Sequence, residues 1–447
     1  MLGSSSFILQ TSNFKLQGLR YPPPMPRILH LLSQRPSMTG SGITLDALVR
    51  HAESAGWDQQ VVVGVPADEP SPEVGGLEND RIQTLQFETP ELPFPVPGMS
   101  DVMPYRSTRW SDMLPDQLRT YRQEWIRRLH PLLGAFSPDL IHVHHLWILG
   151  ALVKDLTPAT PVISHCHATG LRQMRLCPHL AEAVRIGCRR NEKFAVLHSD
   201  HADQLQRDLK IPEDRIHVIG AGYREDLFHR RNRPDQPEPR LLFIGKYAHA
   251  KGLPWLLDAF EKICPNFPNL ELHVAGTGTG PEAVALHSRL KVMAPSVVLH
   301  GQLNQTDLAA LMRQSTVCVL PSFYEGVPLV LIEALASGCR LVATDLPGVV
   351  ETIVPRIPQG VIEIVPRPRL DGPDAPVTDD LPAFTRNLAA ALERSITAPH
   401  PGPISLEFFT WKAVFDRVER MWEEAISSQL SAQALAKFEC NATKRGK

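Results

Sequence analysis

The sequence lacks two features that would each point to a particular class of partner. Its 46 basic and 48 acidic residues give a formal net charge of −2, so no excess of positive charge indicates a nucleic-acid partner. No run of 18 apolar residues is long enough to cross a bilayer. We therefore expect a chain without membrane-spanning helices, in which any anionic ligand is bound by a local group of side chains.

The seven cysteines do not form the framework of a disulfide-rich protein. Their odd number and irregular spacing are typical of free thiols in a reducing cytoplasm. The first 25 residues also lack the charged start and apolar core of a signal peptide, and we expect a cytoplasmic location. Three cysteines lie near three histidines, but intervals of eleven residues match no zinc-binding pattern, so no metal site is predicted. These residues are Cys166, Cys177, Cys188, His165, His167 and His179.

The order of apolar segments predicts two similar α/β domains. From Arg27, a short apolar strand, a glycine-containing loop, a helical pattern and a second strand indicate a βαβ unit, and the same alternation returns after residue 240. Two parallel-sheet, Rossmann-like domains of this kind face each other across a cleft. The predicted ranges are 1–24 for a disordered extension, 25–228 for the first domain, 229–239 for a linker, 240–405 for the second domain, 406–425 for an amphipathic helix and 426–447 for a flexible tail.

One segment of the first domain does not fit this alternation. Residues 66–115 are rich in proline and irregular in pattern, and they are too many for an ordinary connection between a strand and a helix. We interpret this segment as a functional loop or a lid.

The segment SFYEGVPLVLIEALASG, residues 322–338, places an acid on each side of an apolar run. On one helix Glu325 and Glu333 would be about 12 Å apart, which exceeds the roughly 5–9.5 Å of a carboxylate pair that acts on one glycosidic bond. Between them, the free amides of a helix start at Leu329 and Val330 can bind a phosphate. Acids on both sides of such a site suit a diphosphate with hydroxyl groups at both ends, as in a nucleotide sugar.

Several stretches of the sequence together resemble one family. EGVPLVLIEALASG is similar to the E-x7-E motif of the retaining GT-B glycosyltransferases of family 4, and FIGKYAHAKGLPWLLDAF resembles that family's lysine-bearing strand, loop and helix. PDLIHVHHLW, ISHCHATGLRQ, VLPSFYEG and FTWKAVFDRVERMW resemble its other recurring segments, in the expected order, over roughly residues 25–424. The resemblance implies the GT-B fold, in which the C-terminal helix crosses back to the first domain.

The resemblance also implies roles for individual residues of the second domain. Glu333 would bind the ribose hydroxyls of the donor, and Glu325 would contact the transferred sugar beside the reaction centre. Lys246 and Lys251 would neutralise the diphosphate, a role that suits compact cations on a turn that leads into a helix.

Three residues of the first domain are predicted on the same basis. His167 aligns with the family's active-site histidine, at the end of a strand that faces the cleft. Gly40 and Gly42 would let the backbone approach the phosphate or the acceptor closely, because they carry no Cβ. The SMTGSG loop departs from the adjacent glycine pair that is common in the family.

The function implied by the resemblance is transfer of a sugar from a nucleoside-diphosphate sugar, with UDP as the expected nucleotide, and with retention of configuration. Neither a metal nor another cofactor is expected. The acceptor is an unidentified sugar, a lipid-linked molecule or a small molecule, nucleic acid is not expected as a partner, and peripheral contact with a membrane stays open. The alternatives are a nucleotide-sugar-binding protein without catalysis, and a GT-B sugar epimerase or phosphorylase.

Overall fold

The chain folds into two α/β domains and a long C-terminal helix. The structure is a computed structural model, and the extension predicted for residues 1–24 lies outside the residues that it describes. The described residues are 25–36, 39–69, 72–100, 103–235, 237–372 and 374–445, with side chains described as far as residue 431.

The first domain is built on seven strands that are short, apolar and largely buried, as expected for a parallel sheet covered on both faces. Both faces of the sheet are covered, because the neighbouring residues Ile28 and Leu29 of the first strand belong to two different hydrophobic clusters. The strands are β1 (Arg27–Leu32), β2 (Asp58–Pro66), β3 (Ile82–Phe87), β4 (Leu140–Val143), β5 (Val162–Cys166), β6 (Lys193–Val196) and β7 (Ile216–Val218). The helices are α1 (Gly40–Ser54), α2 (Pro115–Phe136), α3 (Ile148–Leu156), α4 (Thr169–Leu176), α5 (Pro178–Cys188) and α6 (Ser199–Leu209).

The strand order of this sheet is β3-β2-β1-β4-β5-β6-β7, and every pair is parallel. The order reverses direction between β1 and β4. In open parallel sheets a crevice forms at such a reversal, beyond the carboxyl ends of the strands. The loops after β1, β4 and β5 therefore lie where a ligand can bind.

The second domain repeats this plan with six parallel strands. The strands are β8 (Arg240–Ile244), β9 (Glu271–Ala275), β10 (Val297–Gly301), β11 (Val317–Leu320), β12 (Arg340–Thr344) and β13 (Ile362–Val365), with a small antiparallel hairpin of β14 (Leu370–Asp371) and β15 (Ala375–Pro376). Their order in the sheet is β10-β9-β8-β11-β12-β13, which reverses direction between β8 and β11. Lys246 follows β8, and Glu325 follows β11. The helices are α7 (Leu253–Ile263), α8 (Pro281–Val292), α9 (Gln305–Gln314), α10 (Leu329–Ala336) and α11 (Leu381–Thr397).

The last helix, α12 (Trp411–Arg445), packs against the first domain. Its apolar stripe joins one hydrophobic cluster with β1, α1 and β4, and the indole of Trp422 donates a hydrogen bond of 3.2 Å to Nδ1 of His142. The prediction that the C-terminal helix crosses back to the first domain is confirmed. The helix also continues through the segment predicted as a tail from residue 426, because no proline or glycine interrupts the sequence before Gly446.

Two local predictions in the first domain are wrong. The segment 66–115 is not irregular throughout, because Ile82–Phe87 forms β3 and pairs with β2 at the edge of the sheet. Helix α1 begins at Gly40 rather than after the glycines, since the Thr39 side chain caps it. Across the described part of the chain, no helix combines the length and the apolar character that a membrane span requires.

Candidate active site

A cavity of about 700 Å³ lies between the two domains, and both sheets contribute the loops at their carboxyl ends. Six of the nine predicted site residues line this cavity, which brings the two domains' candidate residues together. They are Gly40 and His167 from the first domain and Lys246, Lys251, Glu325 and Leu329 from the second. The other three, Gly42, Val330 and Glu333, are not among the residues that line it.

Lys251 and Glu325 form an ion pair on the wall of the cavity, with Lys251 Nζ as donor. Both side chains are largely buried, with 24% and 19% of their surface exposed. The turn that carries Lys251 can approach Glu325 because Gly252 follows it with φ +71°, and a Cβ at that position would lie 2.0 Å from the carbonyl oxygen of Pro321. The family resemblance implies contact of Lys251 with the diphosphate and of Glu325 with the transferred sugar, and the ion pair between them was not predicted.

Helix α10 separates the two glutamates of the motif. It begins at Leu329, directly after Pro328, and the first amides of a helix have no carbonyl partner one turn earlier within it. The amide of Leu331 donates a 3.1 Å hydrogen bond to the carbonyl oxygen of Pro328, so the amides of Leu329 and Val330 are the candidates for a ligand. Val330 lies in this turn but is half-buried away from the cavity. Glu333 lies further along the helix with only 7% of its surface exposed, and burial raises its pKa to about 7. Glu333 is therefore a buried acid that does not line the cavity.

The start of α1 places the two predicted glycines in different positions. Gly40 lines the cavity, and a Cβ built there would meet no heavy atom within 4 Å. Gly42 is buried, and its amide already donates a 3.1 Å hydrogen bond to the capping oxygen of Thr39. Only Gly40 lies where its backbone could face a ligand.

His167 stands at a strained turn after β5. The next residue, Ala168, has φ +69° and ψ −41°, a conformation that residues with a Cβ rarely adopt. The hydroxyl of Tyr324, next to Glu325, donates a 3.0 Å hydrogen bond to the carbonyl oxygen of Ala168. One hydrogen bond therefore links the His167 turn of the first domain with the Glu325 loop of the second.

His167 belongs to a group of six histidines, the other five of which are buried, and no motif in the sequence predicts this group. Its ring stacks on that of His165 with centroids 3.9 Å apart, and His30 Nδ1 lies 3.3 Å from Nε2 of His144. Burial lowers the pKa of every member, so the rings are neutral near pH 7. The only signal in the sequence was the density of histidines at three strand ends. The members are His30, His142, His144, His145, His165 and His167.

Two sets of three histidines in this group place ring nitrogens within 4.8 Å of one another. A metal ion requires lone pairs that lie in the ring planes and converge, whereas His142 stacks on His144 and His165 on His167 with nearly parallel planes. The cysteines considered for zinc are buried and belong to neither set. Metal independence stays a prediction. The sets are His30, His142 and His144, and His144, His165 and His167.

Comparison with known proteins places both domains in one group of enzymes. Residues 39–222 match the family model described as glycosyl transferase 4-like domain, and residues 238–366 match the model described as glycosyl transferases group 1. The first match covers the domain that carries His167, and the second covers the segment that carries both glutamates.

Individual relatives agree with these models. The chain is 26% identical over 233 residues to a glycogen synthase of Mycobacterium tuberculosis, a match that covers 49% of this chain and only 55% of the relative. It is 23% identical over 424 residues to the MMP alpha-(1->4)-mannosyltransferase of Mycolicibacterium hassiacum, which covers 87% of this chain and 95% of the relative.

The fold is also that of solved glycosyltransferase structures. Sucrose-phosphate synthase from Thermosynechococcus elongatus superposes with a TM-score of 0.64 at 18% identity, over 90% of this chain and all of that one. Two parallel-sheet domains with a cavity between them are thus the GT-B arrangement. The chain belongs to the group 1 glycosyltransferases, with a family 4-like first domain and the GT-B fold.

Proposed function

We propose that this protein transfers a sugar from a nucleoside-diphosphate sugar to an acceptor, with retention of configuration and without a metal ion. The observation that carries the proposal is the meeting of His167, Lys246, Lys251 and Glu325 on the walls of one cavity between the domains. UDP is the nucleotide that we expect, from the family resemblance.

The second domain supplies the groups that a diphosphate needs. Lys246 and Lys251 bring two cations to the cavity, and the first turn of α10 adds backbone amides at Leu329. These groups would stabilise the negative charge that develops on the leaving diphosphate, which is the role that a divalent cation has in other enzymes. Lys251 would then share its charge between the diphosphate and Glu325.

The burial of Glu333 supports its assignment as the residue that binds the ribose. A carboxyl that is 7% exposed and has a pKa near 7 is poorly solvated, so hydrogen bonds from a ligand would be worth more there than on the surface. Ribose hydroxyls are donors of the required kind. Movement of α10 or of the loop before it would bring Glu333 into contact with the ligand.

His167 brings a neutral imidazole from the first domain to the cavity. Because burial lowers the pKa of His167 well below its ordinary value, its ring would hydrogen-bond a sugar hydroxyl without adding charge. The hydrogen bond from Tyr324 to Ala168 would fix the distance between this ring and the Glu325 loop when the domains are closed. His167 is thus proposed to position a hydroxyl of the donor sugar and to stabilise charge near its anomeric carbon.

The experiment is a panel of nucleotide sugars and free nucleoside diphosphates based on uridine, guanosine and adenosine. We expect one base to raise the melting temperature, and the matching nucleotide sugar to be consumed, if only by slow hydrolysis. Lys251→Gln should remove most of the stabilisation, whereas Lys262→Gln, an exposed lysine on the following helix, should not. Stabilisation by none of the panel, or equal stabilisation of both variants, would contradict the proposal.

A further inference from the structure

The residues on both sides of Glu325 contact the first domain. The hydroxyl of Tyr324 donates a hydrogen bond to the carbonyl oxygen of Ala168. On the other side, Gly326 packs so closely on the first domain that a Cβ built there would lie 2.7 Å from Cδ1 of Leu197. The position of Glu325 relative to the first domain is therefore set through its two neighbours.

The backbone of Gly326 is also supported by a short helical segment of the second domain, Gly348–Ile353. A Cβ built on Gly348 would lie 1.9 Å from the carbonyl oxygen of Gly326, so a side chain at this position would displace the loop. Gly326 is thus held between this segment and the first domain. The position of Gly348–Ile353 therefore affects the loop that carries Glu325.

The same segment reaches the first domain through Glu351. Its carboxylate accepts a hydrogen bond from the hydroxyl of Ser199 and another, of 3.2 Å, from the backbone amide of Asp200. Both donors belong to the first turn of α6, a helix of the first domain. One carboxylate oxygen, Oε2, therefore joins the two domains at the start of a helix.

The first domain does not supply a side-chain cap for α6. His198 occupies the capping position, and its side chain makes no capping hydrogen bond to the described chain. Burial lowers the pKa of His198, so its ring is neutral near pH 7 and does not balance the charge of Glu351. The amides and the positive end of α6 stabilise that charge instead. Glu351 of the second domain thus takes the place of the missing cap.

We infer that Glu351 is a positioning residue for the transfer reaction: by capping α6 it holds the Glu325 loop at a fixed distance from His167. The inference rests on the proposed function, because it gives a role in turnover to a residue that does not line the cavity. The groups proposed to bind the diphosphate all belong to the second domain. Loss of Glu351 should therefore disturb the alignment of the reacting groups and leave diphosphate binding intact.

The first experiment compares turnover of the donor with affinity for the nucleoside diphosphate that the panel selects. Glu351→Ala should lower kcat about fivefold, which corresponds to the usual effect of losing a helix cap, and should change the Kd of the diphosphate by less than about twofold. Glu351→Gln keeps an oxygen that accepts both hydrogen bonds, so it should retain at least about half of the parental kcat.

The matched control is Glu363→Ala, which removes an acid of the second domain that pairs with Arg394. Neither of these two residues lines the cavity, and the control should keep the parental kcat. Glu351 has 37% of its side chain exposed, so its replacement leaves no void in the core and the variants should fold.

The second experiment tests the contact itself and does not depend on turnover. Hydrogen exchange of the full chain reports on the amide of Asp200, which Glu351 protects. The peptide at the start of α6 should exchange faster in Glu351→Ala and at the parental rate in Glu363→Ala. Ser199→Ala acts on the same contact, so adding it to Glu351→Ala should lower kcat no further.

The outcomes separate this inference from the proposed function. If no nucleoside diphosphate binds and no donor is consumed, both are overturned. If donor is consumed, three results would overturn the positioning role alone: parental kcat in Glu351→Ala, a loss of diphosphate affinity that accounts for its lower turnover, or unchanged exchange at α6. Lower kcat at unchanged affinity, faster exchange and recovery in Glu351→Gln support the inference.

Discussion

Mild acid should destabilise the first domain because of its buried histidines. Six imidazoles meet at the carboxyl ends of β1, β4 and β5, and burial lowers the pKa of each. In the unfolded chain the same groups take up protons near their ordinary pKa of 6.5. Between these two values the unfolded state binds more protons than the folded state, so the free energy of unfolding falls as the pH falls.

The size of this loss of stability follows from the pKa shifts of two of the histidines. His30 and His145 have a pKa of about 3 in the folded chain and 6.5 in the unfolded chain. At pH 5.5 each one therefore removes about 1 to 2 kcal/mol of stability relative to pH 7.5 or above. Their sum of roughly 3 kcal/mol is a large part of the 5–15 kcal/mol that is typical of a domain, and the other four histidines add to it.

The assay is unfolding by urea at pH 7.5, 6.5 and 5.5, followed by tryptophan fluorescence, which reports on the buried Trp57 and Trp422 near this cluster. We expect the unfolding free energy to fall steadily across this range. His30→Gln should reduce the slope against pH, because one group no longer titrates. The control His130→Gln, at an exposed position of α2, should not reduce it by as much. A stability that does not change between pH 7.5 and 5.5, or equal slopes for the two variants, would refute the reasoning.

Three further predictions concern the proposed reaction. Glu333→Ala should weaken donor binding by roughly 1.5–3 kcal/mol, the value of a hydrogen bond to a charged group, whereas Glu325→Ala should mainly lower turnover; equal affinity of both variants for the free diphosphate would contradict these roles. His167→Ala should lower turnover by about tenfold to a thousandfold with diphosphate affinity nearly unchanged, and parental turnover would make it a structural loop residue. Excess EDTA should leave turnover unchanged, and a loss that Mg²⁺ or Mn²⁺ restores would contradict metal independence.

Most of the fold could be predicted from the sequence because its strands are short, apolar and bounded by clear turns. RILHLL, VCVLPS and RLVATD each coincide with a buried parallel strand, and the alternation with helices leaves few other topologies. Strand β3 was missed because it lies inside a proline-rich segment and only two of its six residues, Leu85 and Phe87, are buried. Its pairing with β2 depends on contacts that no local pattern records.

The candidate site was predictable residue by residue but not as a set of contacts. Positions after strands predicted which side chains reach the cavity, and six of nine do. The pairing of Lys251 with Glu325 and of Arg172 with Asp374 joins residues 74 and 202 positions apart in the chain. Such pairs depend on how loops of two sheets approach each other. The side chain of Thr39 caps α1 and accepts a hydrogen bond from the amide of Gly42. This contact could not be predicted either, because the same sequence also suits a loop.

The two glutamates of the motif occupy different surroundings although only seven residues separate them. Glu325 lies on the loop, lines the cavity and has its charge balanced by Lys251, whereas Glu333 lies in α10 and is almost completely buried. The first turn of α10, with its positive helix end, lies between them. A nucleotide sugar is complementary to this arrangement, because hydroxyl groups that can donate hydrogen bonds to the acids lie on both sides of its negatively charged diphosphate. A change in the length of the loop would move Glu325 and leave Glu333 in place, and for this reason we interpret the spacing of the pair, rather than either acid alone, as the signature of the donor site.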